Sequence, residues 1–262
     1  MSDQAPQRRK SILVTGAASG IGRATATLFS GNGWFVGCLD RDARPLENVA
    51  HEVGIDNGFF RAVDVTDRAG LLAAVDDFGR QTDGHLDMLF SNAGIDAKGM
   101  FADMDWSLIQ KIVDVNLMGS MSTIQAALPL LRATPGSLCL STASASAIFG
   151  TAGLAVYSAT KHAVKGLTEA LSVEFAAYGV RAADVLPGII DTGMLPPEAK
   201  AMLPTEGQWR VLPALAVAQC AWDAYHSNKV HYYVPEELAG YDVAITSGPE
   251  AERDVRLANP MI

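Results

Sequence analysis

Along this chain, short runs that are apolar on both faces alternate with longer segments whose apolar positions recur every three or four residues. The short runs cover residues 11–14, 34–39, 59–63, 86–90, 137–141 and 180–185, and the segments with helical spacing cover 21–29, 43–53, 66–81, 104–131 and 157–178. Successive side chains of a strand point to opposite faces, so a strand apolar throughout is covered on both sides. Such strands, each followed by a helix, predict an α/β fold built on a doubly wound parallel sheet of about seven strands. A helix over 215–225 and a last strand over 231–234 complete the expected set. Neither a linker nor an internal repeat interrupts the alternation, so residues 1–262 read as one domain. Residues 1–10 are expected to form a disordered tail, 193–212 a short lid, and 236–262 an acidic, irregular tail.

Composition narrows the function classes. With 49% hydrophobic and 19% charged residues, the chain suits a compact soluble protein rather than a disordered one. Its formal net charge of −9 argues against nucleic acid and against anionic membrane surfaces as partners. Cys38, Cys139 and Cys220 are odd in number, far apart and each within an apolar segment, as buried free thiols in a reducing cytosol would be. Arg8, Arg9 and Lys10 resemble the basic start of a signal peptide, but the apolar run that follows stops at Thr15 and Gly16. No stretch approaches the length of a membrane span. A cytoplasmic location and no metal site are expected.

Candidate chemistry gathers at the carboxyl ends of the expected strands, where ligands of open parallel sheets bind. Between the first strand and the first helix lies Thr-Gly-Ala-Ala-Ser-Gly-Ile-Gly, residues 15–22. In this turn Gly16 permits the tight bend, Gly20 lets the backbone approach a pyrophosphate, and Gly22 permits close packing of helix on strand, with Ser19 and Ile21 between them. Glycine-rich turns without a ligand are common, so this one gains weight from its neighbours. Asp40 ends the second strand, where a carboxylate can accept from both ribose hydroxyls of an adenosine and repel a 2′-phosphate. That favours NAD over NADP, although the guanidinium of Arg41 could turn toward a 2′-phosphate. Asp64 and Val65 follow the third strand. Asp64 could reach an adenine amino group, while capping of the next helix by Thr66 or Asp67 is an equally natural use of the turn. After the fourth strand, Asn92, Ala93 and Gly94 let a cofactor lie close over the strand end, with Asn92 bonding backbone or ribose. Pro187, Gly188, Ile190 and Thr192 follow the sixth strand.

Tyr157 and Lys161 stand four residues apart, on one face of the expected helix. A neighbouring ammonium favours the phenolate and lowers a tyrosine pKa that is ordinarily about 10; for work near neutral pH, about 4 kcal/mol of differential stabilisation is needed. A phenol tuned in this way is a general acid or base for carbonyl and alcohol interconversion. A surface lysine folded over a ring has the same spacing, so again the surroundings decide. Ser144 lies thirteen residues before Tyr157, with Ser146 as a rival. His162 is turned about 100° from Tyr157 and reads as structural. Asn116 interrupts the apolar run of 104–131; it either kinks the helix around a water or bonds a neighbouring segment.

Taken together, T-G-x3-G-I-G at 15–22, N-A-G at 92–94, Asn116, Ser144, Y-x3-K at Tyr157 and Lys161, and P-G-x3-T at 187–192 resemble the short-chain dehydrogenase/reductase family in its single-domain form. The resemblance spans about residues 11–192 and implies a Rossmann-type fold and a nicotinamide cofactor. It implies a tetrad in which Tyr157 exchanges the proton with substrate oxygen and Ser144 orients that oxygen. Lys161 would lower the Tyr157 pKa and bind the nicotinamide ribose, and Asn116 would hold a water as a proton relay. Thr192 and the backbone near Ile190 would clamp the carboxamide. The C-terminal region departs from the family's frequent Asp-Gly-Gly tail, which puts the usual tetramer packing in doubt. A homodimer through 104–131 and 156–178 remains the expectation beside a homotetramer.

The lid is mostly apolar, and Met194 and Leu195 join Ala145, Phe149, Leu154, Ser144 and Tyr157 as candidate substrate contacts. An uncharged, hydrophobic secondary alcohol or ketone fits such a wall, and no basic residue is evidently placed to hold a carboxylate or phosphate. Equally, the lid residues could simply pack on the body. Two alternatives to an NAD-dependent alcohol dehydrogenase stand: an NADP-preferring carbonyl reductase, and a non-catalytic dinucleotide-binding sensor. Fold alone does not establish catalysis.

Overall fold

A computed structural model describes residues 8–258 of the chain. Seven parallel strands form the central sheet: β1 (Ser11–Thr15), β2 (Phe35–Asp40), β3 (Gly58–Ala62), β4 (Met88–Ser91), β5 (Leu138–Thr142), β6 (Arg181–Pro187) and, late in the chain, His231–Val234. Their spatial order is β3-β2-β1-β4-β5-β6 followed by His231–Val234. The chain winds outward from β1 to β3, returns through a helix to β4 beside β1, and winds out the other way. The strand order therefore reverses between β1 and β4, which opens a crevice at their carboxyl ends.

Helices cover both faces because the strands are apolar on both. On one face α1 (Gly20–Gly31) and α2 (Ala43–Val53) pack with a later helix, Ala214–Tyr225, around Phe29, Trp34, Val36 and Val217. On the other, α3 (Arg68–Gln81), the helical stretch 106–132 and the later helix Ala155–Glu174 enclose Leu13, Phe78, Leu89 and Leu131. Asp67 caps α3 by accepting from the Gly70 N–H, so that helix begins two residues later than its periodicity predicts.

The long helix expected over 104–131 is divided. It comprises α4 (Trp106–Val113), one π-helical stretch (Asp114–Met118) and α5 (Gly119–Arg132), and the wide turn carries Asn116. The next helix, α6 (Ala155–Glu174), includes Tyr157 in its first turn. Beyond β6, the two-residue strands β7 (Ile190–Asp191) and β8 (Leu212–Pro213) pair in parallel, closing the base of the lid, whose one short helix is α7 (Pro197–Lys200). Then follow α8 (Ala214–Tyr225) and β9 (His231–Val234).

Two expectations about the ends need correction. The segment after β9 is not irregular: it folds into α9 (Leu238–Ser247) and α10 (Pro249–Ala258). Apolar contacts hold it, with Leu238 and Ile245 buried against Leu186 and Val164. At the other end, Arg8, Arg9 and Lys10 are ordered by partners. Arg8 pairs with Asp87 through two 2.8 Å bonds, Arg9 donates to the Gly33 and Trp34 carbonyls, and the Lys10 ammonium lies 4.7 Å from the Tyr225 ring centre. Residues 1–7 of that expected tail, and 259–262, lie outside the described residues. Cys38 and Cys139 are buried free thiols, pushed up in pKa by that burial, and Cys220 is half-buried. Among the described residues no helix is long and apolar enough to cross a membrane.

Candidate active site

The carboxyl ends of β1, β2, β4, β5 and β6 border one cavity of about 790 Å³. At one end is the glycine turn. Gly16 has φ +67° and Gly20 φ +49°, both in the left-handed region that a side chain disfavours. A Cβ on Gly16 would lie 2.9 Å from the Ala93 Cα, and one on Gly20 would lie 3.1 Å from the Thr192 methyl. The turn is thus a bare-backbone cradle squeezed between two other strand ends, and its shape fits a phosphate-bearing ligand. Gly22 lies behind it: a Cβ there would meet the Gly16 carbonyl at 2.1 Å, so its part is packing and it does not border the cavity.

Asp40 ties β2 to this turn. Its Oδ2 accepts from the Ala18 N–H at 2.9 Å and its Oδ1 from the Asp42 N–H at 3.0 Å. Arg41 is half-exposed at the cavity edge, 3.7 Å from Asp42. Asp64 borders the cavity too, while its Oδ1 accepts from the Thr66 N–H and hydroxyl; Val65 lines the wall beside it. Asn92 takes its structural option. Its amide donates to the Thr15 carbonyl and accepts from the Thr142 hydroxyl, while the Thr15 hydroxyl accepts from the N–H groups of Asn92 and Ala93. Three strand ends are stitched together in this way. Ala93, Gly94, Pro187, Gly188, Ile190 and Thr192 line the wall.

Tyr157, Ser144 and Lys161 meet on the cavity wall next to this cradle. Tyr157 and Ser144 both line this wall, close enough for the Ser144 hydroxyl to act on the phenol, and the Ser144 Oγ accepts from the Ser146 N–H at 3.1 Å. The rival Ser146 has its own hydroxyl engaged with Thr151. Lys161 is 4% exposed; its Nζ donates to the Thr142 carbonyl at 2.7 Å and lies 5.6 Å from the Tyr157 ring centre. His162 is exposed and bonds the Ser158 carbonyl through Nδ1, away from the phenol.

The electrostatics correct one expectation. Burial pushes the Tyr157 phenol up to about 12; the adjacent Ser144 hydroxyl lowers it and the nearby Asp96 carboxylate raises it further. Lys161, whose ammonium donates to the Thr142 carbonyl and is itself driven down to about 8 by burial, does not offset that desolvation in the cavity wall. At neutral pH the phenol is therefore protonated and can donate.

Asn116 is 1% exposed and stands behind this wall. Its Oδ1 accepts from the Ile95 N–H at 2.8 Å, and its Nδ2 donates to the Ile95 carbonyl at 2.9 Å and to the Thr160 hydroxyl at 3.2 Å. Of its two expected uses, these bonds realise the contact with a neighbouring segment.

Ala145, Leu154, Met194 and Leu195 also line the cavity, with Leu203 and Trp209 from the lid. Phe149 is a correction: it does not border the cavity but packs in the adjoining core, with the Arg256 guanidinium 4.9 Å from its ring centre. The basic residues Lys98 and Arg256, which sequence reasoning missed, do line the wall. Arg256 comes from α10, and nothing local in the sequence brings that helix to β5. It is held by Glu252 at 2.7 Å and the Tyr241 hydroxyl at 2.9 Å. Asp96 was also missed; its position two residues beyond Asn-Ala-Gly was the available signal. Among the described residues, no group of three or more His, Cys, Asp or Glu side chains could hold a metal ion.

Comparison with known proteins agrees with this geometry. The short chain dehydrogenase family model matches residues 10–202. An uncharacterized oxidoreductase of Staphylococcus aureus strain MW2 is 33% identical over 210 residues, covering 79% of this chain and 90% of its own. Short-chain dehydrogenase reductase 5 of Arabidopsis thaliana is 35% identical over 188 residues, covering 71% and 72%. Among solved structures, a 3-ketoacyl-(acyl-carrier-protein) reductase from Brucella melitensis complexed with NADH superposes with a TM-score of 0.78 at 29% identity, over 86% of this chain and 96% of that one. Levodione reductase superposes with a TM-score of 0.80 at 28% identity, over 90% and 98%. With the parallel sheet, the glycine cradle and the Tyr157–Lys161 pair in one cavity, these matches make the chain a member of the short-chain dehydrogenase/reductase family of oxidoreductases.

Proposed function

We propose that this protein interconverts a secondary alcohol and a ketone, uncharged and with an apolar body, using NAD(H). One observation carries the reading. Tyr157 beside Ser144, with Lys161 behind them, shares a cavity with a glycine cradle and a strand-end carboxylate, Asp40. The related Brucella melitensis reductase holds NADH, which supports a nicotinamide dinucleotide in this cavity.

A bound nicotinamide would supply the hydride chemistry at the substrate carbon. The chain's own residues handle the proton. For reduction, the phenol of Tyr157 donates to the substrate oxygen, which Ser144 orients by a second hydrogen bond. For oxidation the phenolate of Tyr157 takes the hydroxyl proton, and the Lys161 ammonium favours that anion. Tyr157→Phe tests the assignment. Turnover, read at the reduced-nicotinamide absorbance with a panel of hydrophobic secondary alcohols and ketones, should be lost while cofactor binding persists. Retained turnover would refute the acid–base role. Turnover lost together with cofactor binding would trace the effect to the dinucleotide site. A wild type that binds dinucleotide yet turns over nothing in the panel would favour the sensor reading.

NAD(H) is preferred because Asp40 stands where a 2′-phosphate would meet its charge. NADP(H) is the second reading, favoured by one feature. Arg41 also borders a second pocket of about 350 Å³, together with Lys111. Asp40→Ala should weaken NAD binding and relax the discrimination between the two dinucleotides; an unchanged preference would remove Asp40 from that role. Assembly into a homodimer or homotetramer in the cytoplasm is part of the same proposal. It is supported by exposed Trp106, Met118, Met121 and Val173 on the helices 106–132 and α6. Light scattering on the purified protein tests it, and a monomer at micromolar concentration would overturn it.

A further inference from the structure

We propose that Asp96 sets the substrate class of this site, selecting an alcohol or ketone that carries a hydrogen-bond donor, such as a hydroxyl, on the carbon next to the reacting one. The inference rests on the alcohol/ketone reading above.

Residues 94–96 run directly over the reacting groups. A Cβ on Gly94 would lie 3.4 Å from the Asn116 Oδ1 and 3.6 Å from the Lys161 Nζ. Asn116 then grips both polar groups of the Ile95 backbone. The next residue, Asp96, is thereby held at the cavity wall beside Tyr157, whose phenol feels its charge.

The other acidic groups on this wall are occupied: Asp40 accepts from two backbone N–H groups, Asp64 from Thr66, and Asp42 faces Arg41. Among the described residues Asp96 has neither a hydrogen bond nor an ion pair. An ionised carboxylate only accepts. A wholly apolar substrate filling this space would strip water from it and return nothing, which disfavours binding. A substrate carboxylate there would meet a like charge. A hydroxyl beside the reacting carbon donates and restores the lost bond. The cations nearby do not change this balance, since Arg256 is engaged by Glu252 and Tyr241, and Lys98 is exposed.

The test uses a phenyl-substituted vicinal diol and the two mono-alcohols that each lack one of its hydroxyls. Initial rates with NAD are compared for the wild type, Asp96→Ala and Asp96→Asn. The wild type should prefer the diol in kcat/KM by at least about tenfold, because a site built to bond a hydroxyl discriminates strongly against its absence. Asp96→Ala should bring the ratio to within about twofold, and Asp96→Asn, which keeps an acceptor without the charge, should fall between. Equal kcat/KM for diol and mono-alcohols in the wild type would overturn the Asp96 inference alone, as would an undiminished ratio in Asp96→Ala. Absence of turnover with all three probes, with NAD binding retained, would overturn the alcohol/ketone reading and the inference with it.

Discussion

The side-chain amide of Asn116 closes a ring with the backbone of Ile95, accepting from its N–H at 2.8 Å and donating to its carbonyl at 2.9 Å. It does so from the one π-helical turn of the stretch 106–132, where the wider helix carries the amide to the strand-end segment. Asn116→Ala leaves two backbone groups unpaired where water is scarce, at about 1–3 kcal/mol each. It also frees residues 94–96 above Lys161. We expect kcat to fall at least about tenfold, with a melting temperature lowered by several degrees. Steady-state kinetics beside thermal melts check this; full activity in a destabilised variant would show the ring to be structural only.

A second prediction concerns the cradle. Gly22→Ala would drive a methyl to 2.1 Å from the Gly16 carbonyl, so α1 and the glycine turn must part. Overpacking of this kind costs about 1–3 kcal/mol, and the displaced turn should weaken NAD binding by at least about tenfold. Gly31→Ala, in the same helix with nothing within 4 Å of its Cβ, is the control and should be no worse than neutral. Cofactor titrations and melts of both variants decide it; unaltered NAD affinity in Gly22→Ala would contradict the packing argument.

The third follows from the burial of Lys161. Its folded pKa of about 8 lies below its ordinary 10.5, so between those pH values the unfolded chain binds more protons and stability rises with pH. The full effect is roughly 3 kcal/mol. Tyr157, raised from 10.0 to about 12, works in the opposite sense only above pH 10. Relative to Lys161→Met, which has no ammonium to bury, the wild type should gain about 2.5 kcal/mol between pH 7 and pH 10, the rest following above the ordinary lysine value. Urea unfolding of both proteins at each pH reads this difference, and a constant gap would show the ammonium to be solvated.

The fourth lies away from the cavity. Asp184 is fully buried, and its Oδ1 bonds the His231 Nδ1 at 2.8 Å while its Oδ2 has no partner among the described residues. Burial raises the Asp184 pKa, and His231 counters that. His231→Phe should destabilise the protein by about 3 kcal/mol. An acid raised further in the folded state holds its proton longer than in the unfolded chain, so the cost should grow with pH above the ordinary Asp value of 3.8. Adding Asp184→Asn should recover part of the loss and flatten the pH dependence. Because the bond to Asp184 also raises His231 above 6.5, the contribution of His231 to the wild type is constant below that value, and melts from pH 4 to pH 6 test both statements; a pH-independent cost there would mean that Asp184 is not the group left exposed to the change.

Much of the molecule was legible before folding because its signals are local. Apolar runs and helical spacing delimit β1 to β6, β9 and the helices around them, since strand and helix periods are written in neighbouring residues. The glycine turn, Asp40 and the Tyr157–Lys161 pair were likewise readable, each being a few residues whose chemistry depends on spacing. What only the tertiary structure decided depends on which distant segments meet. Which use Asn116 makes of its amide needed Ile95 and Thr160 to be adjacent to it. Phe149, beside the expected substrate residues in sequence, packs against the core cluster that α9 joins, with Arg256 of α10 over its ring. The tail's own composition reads as acidic and irregular, yet burial of Leu238 and Ile245 against the body folds it into helices. The Tyr157 pKa turned on burial by the whole cavity wall, which outweighs one lysine four residues away. Sequence determines local conformation through period and spacing; solvent exclusion and long-range contact exist only once the sheet has brought the strand ends together.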